Sequence, residues 1–526
     1  MKKLIFTILI LESFCAHAEI IKPVKNLILL IGDGMGPQQI SLAQIYLNHA
    51  KKSPFVRKGL HMTNSDMVAL SFTTPHGNLV TDSACSATQL ATGKQAMSEM
   101  IGVDKKGRSA KTILEMAKQA GKSTGLVSDT RITHATPASF ASHVPNRHLE
   151  NEIAKQLATS DVDVMFSGGV RHFLPSETNN PQSAAYKKLR KIIPAHIGLK
   201  SKRTDSLNLL DLATKKGKSL VFDRQSLRDT KARKVLGLFT NSAIPNAISM
   251  KELSKNPSRA IPNLQEMTHK ALEILSKNPK GFFLMVEGGQ IDWAGHAGDA
   301  GAMLHEMLQF DETIKIVIDW AKNRDDTLVI ATADHETGSF GFSYHNANIP
   351  KPSPFPGKEF KDIKFKPTMN YGNYNILDKL YAQKGDLFSV SKKFGKLSAN
   401  KQNGESLCQM VNQITPFKLQ KIECQKVIDD YNRPRSVDGP NLHSHTLGYN
   451  RDYSNKVHQF TNLISGVLAT KQNVAWGTGT HTATPVSVLS WGPKSWTSQY
   501  TGFMHHVFLG QLMQKSLGVK EKTTLY

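Results

Sequence analysis

Cysteine is scarce: four residues in a chain of 526, too few for a scaffold held together by disulfides. Cys15 belongs to an N-terminal leader. Cys408 and Cys424 are close enough in sequence to form a bridge in an oxidising compartment, and Cys85, with no basic neighbour, reads as a small buried hydrophobe rather than a reactive thiol. Past the first residues no apolar run reaches the length of a membrane helix, so no span is expected. Internal repeats and low-complexity tracts are absent, which excludes solenoids and disordered arrays. Acidic residues are also in short supply, 43 against 66 basic ones, for a net charge of +23. A field of that sign attracts anionic substrates, nucleic acid or acidic envelope polymers, although lysines this scattered equally describe an ordinary solvated surface. Two motifs fail on inspection. Gly32-Asp33-Gly34-Met35-Gly36 lacks the GxGxxG spacing of a dinucleotide site, and His335-Glu336 is followed by Ser339 where a zincin needs its second histidine.

What is present fits a large globular protein, with 39% hydrophobic and 21% charged residues. Residues 1–18 have a Lys2-Lys3 n-region, an apolar stretch from Leu4 to Leu11 and an Ala16-His17-Ala18 end, the pattern of a signal peptide; a periplasmic or secreted location follows. The remainder, 19–526, is expected to be one domain. Continuous apolar runs at Asn26–Ile31, Thr124–Ser128, Asp163–Phe166, Ser219–Phe222, Val235–Phe239, Phe282–Val286 and Thr327–Ala331 read as buried strands. Helical periodicity lies between them at Thr112–Ala120, Ala138–His143, Ile261–Ser276 and Ala302–Ala321. This alternation predicts an α/β fold with a doubly wound, mainly parallel central sheet and helices on both faces. From about 344 to 473 the texture turns to Pro, Asn, Lys and Tyr, which marks a large insertion with its own short elements before the last core strand, Val486–Ser490. Phe503–Leu517 closes the chain as a helix.

Chemistry-bearing residues fall where strands stop, the edge at which open α/β sheets bind ligands. Asp33 follows the first strand. Asp82-Ser83 opens a run of small residues, so Asp82 can cap a helix and Ser83 can sit at its anion-favouring end. Glu287 ends a strand, and Asp292 and His296, at i and i+4, share a face if their turn is helical. Asp334-His335 follows another strand and His481 precedes the last. Carboxylate and imidazole without thiolate suit zinc in an open site, while the oxygen-only set of Asp33, Thr136 and Glu287 suits magnesium.

GDGMG at 32–36, TDSACSAT at 81–88, HATP at 134–137, HVPNR ending in Arg147, EGGQIDWAGH at 287–296, TADHETG at 332–338 and GTHT at 479–482 together resemble the alkaline phosphatases, in that family's order and over nearly the whole mature chain. The resemblance implies phosphate monoester hydrolysis through a phosphoserine on Ser83, with Arg147 clamping two phosphate oxygens. It implies two zinc ions, one held by Asp292, His296 and His481 and the other by Asp33, Asp334 and His335, and one magnesium ion shared by Asp33, Thr136 and Glu287. His134 stands where some bacterial members carry an acid and Trp293 where some carry Lys; for His134 a role orienting magnesium-bound water is expected ahead of direct ligation, and Trp293 reads either as a wall of the phosphate pocket or as simple packing. Small phosphate monoesters are the expected partners, with no obligate nucleic acid, and a homodimer is left open. Two other readings compete: the same metal site acting on phosphodiesters or sulfate esters, and a basic binding protein without turnover.

Overall fold

The computed structural model describes residues 21–355, 357–432 and 456–520. The leader segment therefore lies outside the described residues. The first eight strands in chain order are β1 Asn26–Gly32, β2 Met67–Phe72, β3 Ser123–Arg131, β4 Val164–Gly168, β5 Ser219–Val221, β6 Val235–Leu238, β7 Phe282–Gly288 and β8 Thr327–Thr332. With the strands Val486–Trp491 and Gly502–His505 they form one sheet of ten, ordered Gly502–His505, β2, Val486–Trp491, β8, β1, β7, β3, β4, β6, β5. From β8 to β5 every pairing is parallel. Val486–Trp491 alone runs against its neighbours β8 and β2.

The strand sequences explain why both faces are covered. Along β1, Ile28 and Leu30 enter one apolar cluster while Leu27, Leu29 and Ile31 enter the other, on the opposite face. β7 divides likewise, with Phe282, Leu284 and Val286 on one face and Phe283 and Met285 on the other. Successive strand residues point to opposite faces, so unbroken hydrophobicity requires helices above and below. Each such side chain, taken from water, contributes about 1.5–3 kcal/mol.

The predicted insertion carries a short ribbon, Ser353–Pro354 against Lys364–Phe365, and the helices Asn375–Tyr381, Leu387–Phe394, Gly404–Ile414, Lys421–Asn432 and Lys456–Gln472. Cys408 and Cys424 are joined by a disulfide between two of these helices. The apolar residues Leu380, Val411 and Ile464 of this region belong to the same cluster as Ile28. Asp299 ties it down further: its carboxylate accepts hydrogen bonds from Ala302 N, Gln383 Nε2 and Leu387 N, at 3.0, 2.7 and 2.8 Å.

Two local expectations change. The helix expected at 138–143 is a single turn, Ala135–Ala138, because the backbone then bends to pair Val144 with Ile101. Residues 502–505 are an edge strand, and the last helix begins only at His506. β2, Met67–Phe72, has no counterpart among the strands expected from sequence and fills the place between the two C-terminal strands.

Leu29 is fully buried at the sheet centre, whereas Val68 is 57% exposed. Leu29→Ala is expected to cost about 2–5 kcal/mol in urea unfolding, and Val68→Ala no more than about 0.5 kcal/mol. Equal losses at the two positions would contradict this assignment of the core.

Candidate metal and phosphate site

Register delivers the site. Ile31 is level with Glu287 and with Thr332, so β1, β7 and β8 end together, with Ser128 of β3 level with Glu287 beside them. The chain leaves them through Asp33, Glu287, Asp334 and His335, all four fully buried. Gly34, at φ +75°, makes the convergence possible. A Cβ there would lie 2.7 Å from Asp292 Cα, so only glycine lets this turn close over the helix that carries Asp292.

Ser83 is the first residue of the helix Ser83–Thr92, and Asp82 caps it by accepting from Ala84 N and Cys85 N at 3.2 Å each. Arg147 Nη1 donates to the same carboxylate at 2.9 Å. Burial opposes ionisation of Asp82, but Arg147 prevails and holds it below the usual carboxylate range. Cys85 is buried behind this helix as expected, its thiol pushed up to about 12 by burial.

Asp292 and His296 do occupy one helix, Gln290–His296, with His296 Nε2 3.3 Å from Asp292 Oδ2. His481 Nε2 lies 3.5 Å from Asp292 Oδ1 and 3.2 Å from His296 Nε2. His481 sits not at the start of the core strand but in a separate two-residue ribbon against Glu336–Thr337. Across the stacked rings of His481 and His335, 3.5 Å between centroids, a second group follows. His335 Nε2 is 3.2 Å from Ser83 Oγ, 3.4 Å from Asp334 Oδ2 and 3.6 Å from Asp33 Oδ1. A third group brings ligand atoms of Asp33, His134 and Glu287 within 4.8 Å of one another. Thr136 Oγ1 is buried with no hydrogen-bond partner, as is His134 Nδ1. Arg147 Nη2 is 3.5 Å from His134 Nε2, and Trp293 meets the His134 ring edge-on.

Partners that sequence reasoning missed orient these ligands. His296 Nδ1 is 2.7 Å from Gly479 O and His481 Nδ1 is 2.9 Å from Thr81 O. A carbonyl only accepts, so both Nδ1 atoms carry the proton. Thr337 Oγ1 donates to Asp292 at 2.5 Å and is therefore the acceptor for His335 Nδ1 at 3.2 Å. All three rings thus turn an Nε2 lone pair inward. Ser128 and Thr130 donate to Glu287 Oε2 and leave Oε1 without a partner. These are hydroxyls and loop carbonyls, whose roles depend on tertiary placement and leave no pattern in the sequence.

The donor set fits divalent cations. Both oxygens of Asp33, Glu287 Oε1 and Asp334 Oδ2 are buried with no hydrogen-bond partner, and the Nε2 atoms of His296 and His481 face each other at 3.2 Å. Without positive charge between them such groups repel. Burial, then the neighbouring carboxylates, drives Asp33 well above its ordinary pKa. Burial likewise lifts Glu287 to about 8 and Asp334 to about 6. At Asp292 burial works the same way, but His296 and His481 prevail and hold it well below.

The family model for alkaline phosphatase matches residues 24–519. The chain belongs to the alkaline phosphatase family. Alkaline phosphatase 3 of Bacillus subtilis is 39% identical over 328 residues, a match spanning 60% of this chain and 62% of that one, so under two thirds of the relative's length is matched. The crystal structure of the Thermus thermophilus alkaline phosphatase superposes with a TM-score of 0.74 at 24% identity, covering 95% of this chain and 92% of that chain. That of the cold-active alkaline phosphatase from a Shewanella species gives 0.67 at 25% identity, covering 94% and 99%.

Chelation gives a test of this electrostatics. A carboxyl whose folded pKa is raised stabilises the fold fully below its unfolded value and loses that contribution as pH rises through the folded one. Above about pH 7 the buried histidines are neutral in folded and unfolded chain alike, so metal-free protein should lose stability as pH rises from there through about 8, the value of Glu287. Divalent cation should abolish the loss. A chelated protein whose melting temperature stays flat across that interval would refute the account.

Proposed function

We propose that this protein is an exported alkaline phosphatase that hydrolyses phosphate monoesters through a phosphoserine on Ser83. The observation that carries the reading is the inward set of ligand atoms around that hydroxyl: the Nε2 atoms of His296, His335 and His481 with the partnerless oxygens of Asp33, Asp334 and Glu287.

Asp292, His296 and His481 would hold one zinc ion and Asp33, Asp334 and His335 the other. Asp33, Thr136 and Glu287 would share magnesium. The proximity of His134 to Asp33 and Glu287 supports a direct place in that third shell, beyond the water-orienting role its sequence position suggests. When bound, these cations supply Lewis acidity: they lower the pKa of a coordinated hydroxyl or water and neutralise charge on the departing oxygen.

The chain's own residues do the rest. The helix N-terminus at Ser83 and the Arg147 fork draw the phosphoryl group in, and the Asp82 carboxylate keeps that fork aimed. Ser83 Oγ, its proton passed to solvent water, attacks phosphorus; the Oγ–P bond forms as the bond to the ester oxygen breaks, and the alcohol leaves with a proton taken back from water. Water then attacks the phosphoserine from the side the alcohol vacated, which frees Ser83 and inorganic phosphate. In-line geometry at both steps requires serine and leaving group on opposite sides of phosphorus.

Ser83→Ala should lower kcat on phenyl phosphate by at least about a thousandfold while elemental analysis finds the metal content of the wild type. Arg147→Ala should cost about 10²-fold, mostly as KM, and Arg147→Lys should recover little, since a point charge cannot replace the fork. Undiminished turnover by Ser83→Ala, or faster hydrolysis of the phenyl diester than of the monoester, would overturn the reading.

A further inference from the structure

The cleft that opens over Ser83 and Arg147 has a volume of about 830 Å³. Pockets of roughly 300–1,000 Å³ hold whole drug-sized ligands, so this one has room for far more than a phosphoryl group. Its outer wall is supplied by the insertion, through Phe388 of the helix Leu387–Phe394 and His458 of the helix Lys456–Gln472. Neither residue is among the metal ligands or the phosphate clamp.

Their place is fixed by a run of contacts that starts at the nucleophile. Ser83 Oγ meets His335, the His335 ring stacks on His481, and His481 Nε2 faces His296. The His296 and His458 ring centroids are 5.8 Å apart, and those of His458 and Phe388 4.8 Å, tilted by 37°. Lys392 Nζ lies 5.5 Å from the centre of the Phe388 ring. The first three histidines lead away from Ser83 toward the Asp292 group, and the aromatic pair begins where those ligands end. Phe388 and His458 are both only partly buried, so each keeps surface open to the cleft. Asp299 fixes the shelf from below, because its carboxylate holds Leu387 N, the residue before Phe388.

We propose that Phe388 and His458 form a leaving-group shelf, which makes the protein select phosphate monoesters of flat aromatic alcohols, such as phenols, over those of small aliphatic alcohols. The inference rests on the phosphomonoesterase reading and adds the substrate class to it. A planar ring on the ester oxygen finds an apolar, polarisable surface there, and ring-on-ring contact of this kind raises affinity about three- to tenfold. A glycerol or ethyl group reaches no such surface.

Benzylphosphonate and ethylphosphonate test this directly, since a methylene in place of the bridging oxygen prevents turnover and calorimetry reads binding without chemistry. On the purified protein with its bound metals, benzylphosphonate should bind about three- to tenfold more tightly than ethylphosphonate. Phe388→Ala should erase that ratio, and Phe388→Tyr, which retains the ring, should preserve it. In steady state, the loss in Phe388→Ala should fall on KM for phenyl phosphate rather than on kcat. A wild-type binding ratio near one, or a ratio that survives Phe388→Ala, refutes the shelf even if monoester turnover is strong. Absence of monoester turnover in the wild type refutes instead the reading on which it rests.

Discussion

Everything at the carboxyl edge of this sheet is governed by the cost of placing negative charge where water does not reach. Asp33, Glu287 and Asp334 are fully buried, and Asp292 nearly so. A lone carboxylate in such a place takes up a proton, as the raised pKa values of the first three express. The fold has not paired them with Lys or Arg. It surrounds them with imidazoles, each locked by its outer nitrogen so that the inner one faces the acids, and with hydroxyls that satisfy one oxygen and leave the other. Such a cluster loses its electrostatic strain when divalent cations neutralise it, so cation binding and folding stability are coupled.

The guanidinium of Arg147, beside the helix that begins with Ser83, is held by a carboxylate, and that commitment is useful. Arg147 binds Asp82, and Asp82 also caps the helix that begins with Ser83. One carboxylate thus fixes both the backbone of Ser83 and the guanidinium. With Asp82 replaced by alanine the helix would lose its cap and Arg147 its anchor, so Ser83 and the guanidinium would loosen together.

Much of this was legible in the sequence because it rests on local chemistry. β1 and β7 read as doubly buried strands from unbroken hydrophobicity, Asp82 as a cap from its place before Ser-Ala-Cys-Ser, and Asp292 with His296 as one face from their spacing. What stayed hidden depends on distant chain segments meeting. β2 and the strand Gly502–His505 are recognisable only as neighbours of each other and of Val486–Trp491. Thr337, Gly479 and Thr81 act through one hydroxyl or carbonyl each, and nothing in a sequence distinguishes the carbonyl that holds a histidine from any other. The place of His134 beside Asp33 and Glu287 is of the same kind.

Sheet topology also explains why the insertion reaches the cleft at all. Between parallel strands the connection must travel back along the full length of the sheet, so an insertion there has a choice of face and end. β8 and Val486–Trp491 are antiparallel neighbours, with Leu489 level with Ala331 and Trp491 level with Val329. The chain therefore leaves β8 and enters the next strand at the same edge, the one bearing Asp334, His335 and His481. Residues added between them emerge at the rim of the site and return to it. Their apolar residues join the core beneath the same sheet face, so the rim they build is anchored. The connection after β8 can thus build the wall of the cleft without disturbing the buried acids and imidazoles that β1, β7 and β8 deliver.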